Sequence, residues 1–353
     1  MASVYALRHP SGELVFRQVD NGRWADAPGT GVEVVGDRWW ALPGLVDAHS
    51  HLAAPELNYE PGDLGGAIVR ARQALAAGVT LLLDKGWTDE TGVRVIDAVP
   101  EEERPDIEAA ARLIAPSEGY YDDFAREVSD DLEEVVRAEA AAGRGWVKVV
   151  GDWPRRGSGP VANFTEDELR TVVSVAGEMG AKVAIHTMAP DAPSRAVRAG
   201  VHSIEHGLFL TDDDIGLLGA RSGMWVPTFL RVEAVIGQLG ADSTGGRLLA
   251  GGLANASRLL ADAVDAGVHV LAGTDLVGSP ANIASEALKL GEYGLSPLKM
   301  IEAVSSSGLV ATGRKARFEA GSSADVVFFP VNPIEEPAVL AHPVLVVRKG
   351  RPV

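Results

Sequence analysis

The chain contains no cysteine. That removes disulfides, thiolate metal sites and cysteine nucleophiles together, so any transition metal has to rest on imidazole and oxygen ligands. Basic residues are also few: 32 Lys and Arg stand against 49 Asp and Glu, a formal net charge of −17. A nucleic-acid partner selects for clustered Lys and Arg, and this balance disfavours one. No window approaches the ~18 unbroken apolar residues of a membrane span. The start, Met-Ala-Ser-Val-Tyr-Ala-Leu-Arg-His-Pro, has no basic region followed by a long apolar segment. The expectation is a cytoplasmic protein with no membrane and no nucleic-acid partner. A Gly-x-Gly-x-x-Gly after an early strand is lacking too, which disfavours a dinucleotide-binding dehydrogenase. What is present, 353 residues of which 46% are hydrophobic, suffices for a large core.

Residues 1–42 read as short strands and turns, with Asn21-Gly22 as a hairpin signal. Residues 321–353 have the same texture. Neither segment buries a sheet face alone, so the economical arrangement joins 1–42 and 321–353 into one small β-sandwich-like domain. Across 43–320 the pattern is strand then helix, repeated. Strand candidates fall at 45–47, 79–83, 111–115, 147–150, 182–185, 203–205, 224–227 and 268–272, with helical periodicity at 64–77, 130–142, 165–179 and 258–266. Thr165 followed by Glu168 is a capping-box signature, and Gly78, Gly180, Gly200 and Gly267 fit helix C-caps. Eight strand candidates spaced by helices over roughly 270 residues match an α/β fold of the (β/α)8 TIM-barrel type. A doubly wound sheet uses the same elements. The polar residues favour the barrel, because only there do the ends of strands one, four, five, six and eight meet at one mouth.

Those polar residues begin with Pro43-Gly44-Leu45-Val46-Asp47-Ala48-His49-Ser50-His51, an apolar strand that ends on two histidines. A strand alternates faces with period two, so His49 and His51 point the same way and suit a metal. Lys148 in Trp-Val-Lys-Val-Val, His186 in Val-Ala-Ile-His, His206 in Ser-Ile-Glu-His-Gly and Asp275 in Ala-Gly-Thr-Asp each sit within or just beyond a short apolar run. Asp275 can bind a metal and carry a proton from an attacking water to a leaving group; a simple helix N-cap is its plainer role. A buried unpaired ammonium at Lys148 is costly. Conversion to a carbamate by carbon dioxide would reverse its sign and supply two oxygen ligands able to bridge two divalent ions about 3.5–4 Å apart. A salt bridge from Lys148 to Asp152 or Glu178 is the alternative.

These motifs resemble the amidohydrolase superfamily, in particular the branch of imidazolonepropionases, prolidase-type Xaa-Pro and Xaa-Arg dipeptidases and ochratoxin-hydrolysing amidases. Residues 43–52 resemble its first-strand motif, 199–207 its sixth, 272–275 its eighth, and 321–327 its return into the small β-domain. The resemblance implies that His49, His51 and Asp275 hold one metal and His186 and His206 a second, with carboxylated Lys148 bridging. It implies two divalent ions, zinc being the first expectation. Attack of the bridging hydroxide on a carbonyl follows, with Asp275 as proton shuttle and His206 in the catalytic group. If Lys148 stays unmodified, a single-metal site of His49, His51, His186 and Asp275 remains, and His206 orients water or substrate.

Two departures bear on substrate. Deaminases of this scaffold carry a glutamate shortly after the fifth-strand histidine, whereas His186 is followed by Thr187-Met188-Ala189-Pro190. Dipeptidase-like members carry a histidine near the third strand end; here Tyr120 is the candidate to supply a hydroxyl donor instead. Candidate pocket walls after the other strands are Lys85, Trp87, Tyr121, Trp153, Thr228, Arg231 and Asn282, with Arg155 or Arg156 suited to a substrate carboxylate. His202, at a strand start, reads as structural. The leading expectation is hydrolysis of an amide in a dipeptide, N-acyl amino acid or related carboxamide. The alternatives are a cyclic amide or lactone hydrolase, a heterocycle deaminase with one metal, and an aryl ester or phosphotriester hydrolase. The partner is a small molecule; a homo-oligomer is compatible with the barrel, and no surface stripe marks one.

Overall fold

The structure is a computed structural model, in which residues 3–27, 33–57, 60–155 and 159–353 are described. Its centre is α/β, with parallel strands followed by helices. The strand Leu45–Ser50 pairs with Val79–Asp84, and that with Asp106–Ala109, all parallel. A second parallel set runs in the order Arg126–Val128, Leu113–Pro116, Trp146–Val150, Lys182–Thr187, Ser203–His206, Met224–Val226 and His269–Val270.

The expected third strand at 111–115 is Leu113–Pro116, and a separate strand, Asp106–Ala109, precedes it. Asp106–Ala109 follows the Val79–Asp84 strand, whereas Leu113–Pro116 follows Trp146–Val150, and bridges at Ala109–Gly145 and Trp87–Arg112 lie between the sets. The last expected strand is shorter than 268–272. Past Val270 the chain keeps strand-like bonds: Leu271 N–H donates to Trp225 O at 2.9 Å, and Ala48 N–H to Ala272 O at 2.9 Å. The first and last strands therefore touch. Gly273 makes this approach possible, because a Cβ there would stand 2.6 Å from His49 Cβ.

Helices form where caps and periodicity agree. Glu166–Glu178 begins with both halves of the Thr165–Glu168 capping box and buries Leu169, Val172, Val175 and Ala176 on one face. Ala192–Ala199 ends on Gly200 at φ +87°, a conformation that favours glycine. The expected helix at 258–266 is only the end of Thr244–Asp265, which also takes in Gly245, Gly246, Gly251 and Gly252. Packing of Leu249, Leu253, Ala256 and Leu260 overrides the low propensity of those glycines. Among the described residues no helix is long and apolar enough to cross a membrane.

The two ends of the chain share one sheet. Its order is Arg351–Pro352, Leu345–Arg348, Val326–Phe329, Trp40–Leu42, Ser3–Arg8, Leu14–Asp20 and Arg23–Asp26, with Glu33–Val35 beside Ser3–Arg8. Asn21 and Gly22, both at positive φ, close the hairpin between Asp20 and Arg23. Tyr5, Leu7, Trp24, Val326 and Phe328 form a core under this sheet. Charges bind it to the parallel strands. Buried Arg348 donates to Asp325 Oδ2 at 2.7 Å, to Asp106 Oδ1 and to Arg104 O at 3.2 Å. Nearby, Arg314 pairs with Glu108, which also accepts Trp146 Nε1–H at 2.8 Å. A cavity of about 460 Å³ lies at this junction.

Candidate metal centre and hydrolytic site

The candidate metal ligands gather at the other end of the strands, around a smaller cavity of about 110 Å³. The chemistry, and not the volume, marks it as the functional candidate. His49, His51, Lys148, His186, His206 and Asp275 all line it. His49 Nε2 and His51 Nε2 each stand 3.5 Å from Asp275 Oδ1, and the three residues offer ligand atoms within 4.8 Å of one another. His206 Nε2 lies 3.8 Å from Asp275 Oδ2 and 3.0 Å from His186 Nδ1. Asp275 thus faces both histidine pairs.

Neighbours assign which nitrogen faces inward. His51 Nδ1 stands 2.7 Å from Gly86 O, an acceptor only, so the ring donates there and its Nε2 lone pair is free. His206 Nδ1 stands 2.6 Å from Thr228 Oγ1, whose hydroxyl donates to Pro227 O, so His206 is the donor there and its Nε2 carries the lone pair, turned toward His186 Nδ1. Backbone strain accompanies this aim. His206, Thr228 and Asp275 have φ of +63°, +48° and +39°, values that cost a non-glycine residue about 1–3 kcal/mol each.

The electrostatics suit a cation. Burial pushes the His49 imidazolium down to about 4 and that of His186 to about 3, so both rings are neutral at pH 7. Burial alone would raise Asp275, but His49, His51 and Arg231 outweigh it and hold the carboxyl well below the usual range. Burial lowers Lys148 to about 8, toward the free amine, and its Nζ has no hydrogen-bond partner. The salt-bridge alternative fails: Asp152 accepts Met188 N–H and Ala189 N–H at 2.7 and 2.9 Å, and Glu178 pairs with Arg137. Neutral imidazoles, a carboxylate and an orphaned buried amine converging on one point are a donor set that fits divalent metal.

Residues 40–353 match the amidohydrolase family. The chain belongs to that family. By class this amidohydrolase is a hydrolase of carbon–nitrogen bonds. It is 34% identical to an uncharacterized protein of Mycobacterium tuberculosis over 99% of this chain and 94% of that protein. It is 24% identical to the ochratoxinase of Aspergillus niger over 86% of this chain and 72% of that one. Among solved structures it is similar to a Xaa-Pro dipeptidase with bound methionine in the active site (TM-score 0.85, 21% identity, all of both chains). The crystal structure of A. niger ochratoxinase is also similar (TM-score 0.84, 19% identity, 99% of this chain and 95% of that one).

Around the amidohydrolase centre stand Trp87, Tyr120, Tyr121, Phe124 and Trp153. Tyr120 packs edge-on against Trp153 at 4.5 Å and His186 at 6.4 Å, and Trp87 against His51 at 5.7 Å. Several expected pocket walls lie elsewhere. Thr228 is buried behind His206 and does not line the cavity, because its hydroxyl is engaged by that ring. Arg155 turns aside to donate to Asn163 Oδ1 at 3.0 Å, and Arg156 lies outside the described residues. Asn282 precedes the helix Ile283–Glu292 and is absent from the cavity lining. Lys85 is not a wall at all: it is fully buried beneath the site. His202 accepts Val183 N–H at 3.1 Å near the strand starts, a structural role. Besides Lys148, Arg231 reaches the cavity, with Nε 3.9 Å from Asp275 Oδ2.

Sequence reading assigned no role to Asp47, Asp84 or Glu205. Asp47 accepts from Thr274 Oγ1 at 2.6 Å and from His49 N–H at 3.1 Å, tying the first strand to the loop that carries Asp275. Asp84 accepts Leu52 N–H and Gly86 N–H, fixing the carbonyl that orients His51. The available signal was an acid inside an apolar strand, which must be paired if buried.

Proposed function

We propose that this protein hydrolyses the amide bond of a dipeptide, an N-acyl amino acid or a related carboxamide at a two-metal centre. The observation that carries the reading is the convergence of four histidines, Asp275 and an unpartnered Lys148 amine on one cavity. His49, His51 and Asp275 would hold one divalent ion and His186 and His206 another, with zinc suited to these donors. A neutral Lys148 amine could add carbon dioxide with release of a proton, and the resulting carbamate would offer two further oxygen donors to such ions. Such ions, when bound, activate water and polarise a carbonyl.

The chain's own groups do the rest. Asp275, held low by its neighbours, takes a proton from the attacking water and returns it to the leaving nitrogen. Arg231 pairs with the substrate carboxylate beside the reacting centre. Tyr120, Tyr121, Trp153 and Trp87 surround an apolar portion of the substrate and exclude water. The Tyr120 hydroxyl donates to the substrate carbonyl region. The scaffold for this is a closed eight-stranded barrel over 43–320, supported by the Ala48–Ala272 bond, flanked by a small β-domain of 1–42 and 321–353.

A single-metal reading has one observation in its favour: among the described residues, His49, His51 and Asp275 are the one group of three whose ligand atoms all lie within 4.8 Å of one another. His206 would then orient water, and cyclic amides or heterocycles would come forward as substrates. Elemental analysis of the purified protein separates the readings, coupled to a screen of N-acyl amino acids against their carboxamide-capped analogues. Two metals per chain and a preference for the free carboxylate support the first proposal. One metal and no such preference support the second, and absence of bound metal with no hydrolysis would sink both.

A further inference from the structure

Beneath the donors lies a buried pair that the hydrolytic reading leaves unused. Glu205 precedes His206 on its strand, and Lys85 follows the Val79–Asp84 strand; both are sealed from solvent. The two carboxylate oxygens have different neighbours. Glu205 Oε2 stands 2.6 Å from His49 Nδ1, a contact short in distance but not aligned as a hydrogen bond. Glu205 Oε1 accepts Ser203 Oγ–H at 2.6 Å and lies 3.2 Å from Lys85 Nζ, which itself rests 4.5 Å from the centroid of the Trp146 ring. Burying an ion pair costs several kcal/mol per ion before the attraction offsets it. Apolar residues of like size often fill such a space with equal or greater stability, so packing alone does not explain the pair.

We propose that Glu205 and Lys85 are positioning residues for the metal centre: Glu205 takes the Nδ1–H of His49, leaving Nε2 to the metal, and Lys85 supplies the counter-charge that lets a carboxylate sit there. The inference rests on the metal-centre reading above. A neutral imidazole has one donor and one acceptor nitrogen, and the partner of the first decides the aim of the second. His51 is aimed by the Gly86 carbonyl and His206 by the Thr228 hydroxyl, both neutral. His49 alone of these three is aimed by a charged group. A carboxylate in that place also makes the ring a more basic ligand, and such partners change metal affinity about 10–100-fold. The imperfect alignment fits a site whose contacts tighten when loaded.

The test is a titration of cobalt(II) into metal-stripped wild type, Glu205→Gln, Lys85→Met and Lys85→Arg, with folding followed by circular dichroism. Glu205→Gln and Lys85→Met are expected to bind about 10–100-fold more weakly, and Lys85→Arg, which keeps the charge, to recover most of that loss. Unchanged affinity in Glu205→Gln and Lys85→Met would overturn the inference and leave the metal reading standing. Wild type that takes up no metal would overturn the metal reading itself. Lys85→Arg as weak as Lys85→Met would remove the counter-charge role. Should the variants fail to fold, nitrogen-15 NMR of zinc-loaded wild type decides: a protonated Nδ1 and coordinated Nε2 at His49 support the assignment, and a coordinated Nδ1 overturns it.

Discussion

Both ends of the parallel strands carry buried charge, and they treat it differently. Near the strand starts Arg348 has two carboxylate partners and a carbonyl, and Glu108 is shared by Arg314 and Trp146. At the other end Lys148 Nζ has no hydrogen-bond partner, four imidazoles converge with Asp275 on one cavity, and His206, Thr228, Asp275 and Leu276 lie at positive φ. A charge cluster that serves stability satisfies itself internally. One that leaves donor atoms aimed at a common point carries unfavourable energy, and that energy has to be recovered on binding something. Substitutions at the two ends should therefore fail in different ways.

The largest effect is expected at the unsatisfied end. His49→Ala should lower metal content and cut turnover by about 10³-fold or more, since bound metal supplies several kcal/mol of transition-state stabilisation and each 1.36 kcal/mol is tenfold. Lys148→Ala should do the same, with part of the activity restored by a short carboxylic acid. The folded state should survive both, because removing these groups relieves desolvation. Metal analysis and thermal melting on the same samples check this; full metal content in both variants would break the comparison. At the satisfied end Arg348→Met should cost about 3–5 kcal/mol of stability by leaving Asp325 buried without its partner. Metal per folded chain should not change. Denaturant titration gives the first quantity, and a variant that lost metal before it lost stability would show the two ends to be coupled.

What could be read in advance follows the same division. His49, His51, His186, His206 and Asp275 were legible because a polar residue at the end of an apolar strand is conspicuous, and a parallel α/β rhythm carries those ends to one side. Lys148 was legible as a lone cation inside the apolar run Trp146–Val150, though its lack of a partner was not. Lys85 was misplaced in the pocket wall because its partner Glu205 lies on a distant strand, and no local pattern announces a pair so far apart in sequence. Thr228 and Arg155 were misplaced for a subtler reason: a loop position does not say whether a hydroxyl or guanidinium turns to the cavity or back to the protein. The separate strand Asp106–Ala109 was not anticipated, and the glycine-bearing helix Thr244–Asp265 was hidden because packing decided it against local propensity.

Arg231 tests the chemistry at a finer level. Its guanidinium lines the cavity, with Nε 3.9 Å from Asp275 Oδ2. Arg231→Ala should raise KM for substrates bearing a carboxylate by about 10–100-fold, the value of a charged hydrogen bond of about 1.5–3 kcal/mol. It should leave carboxamide-capped analogues nearly unchanged. Steady-state kinetics on a matched pair checks it. Equal losses on both would assign Arg231 to the integrity of Asp275 and not to substrate recognition.

The smallest expected effect concerns pH at the satisfied end. Burial would raise the Asp106 carboxyl, but the Arg348 ion pair and hydrogen bond outweigh it and hold it below the usual aspartate value. A carboxyl depressed in the folded state binds fewer protons there than in the unfolded chain. Its contribution is therefore complete above the unfolded value, near about pH 4, and is lost as pH falls through the folded value. Asp106→Asn lacks that term at every pH. Its melting temperature should lie below wild type at pH 7, and the gap should close as pH drops below about 4. The gap should be smaller than for Arg348→Met, because Asp106 is partly exposed and Arg348 keeps Asp325. Melting curves of the two proteins from pH 7 to pH 3 decide the point. If they stay parallel, the Asp106 ion pair does not supply this acid sensitivity. The junction then depends on Asp325 and the apolar core beneath the shared sheet.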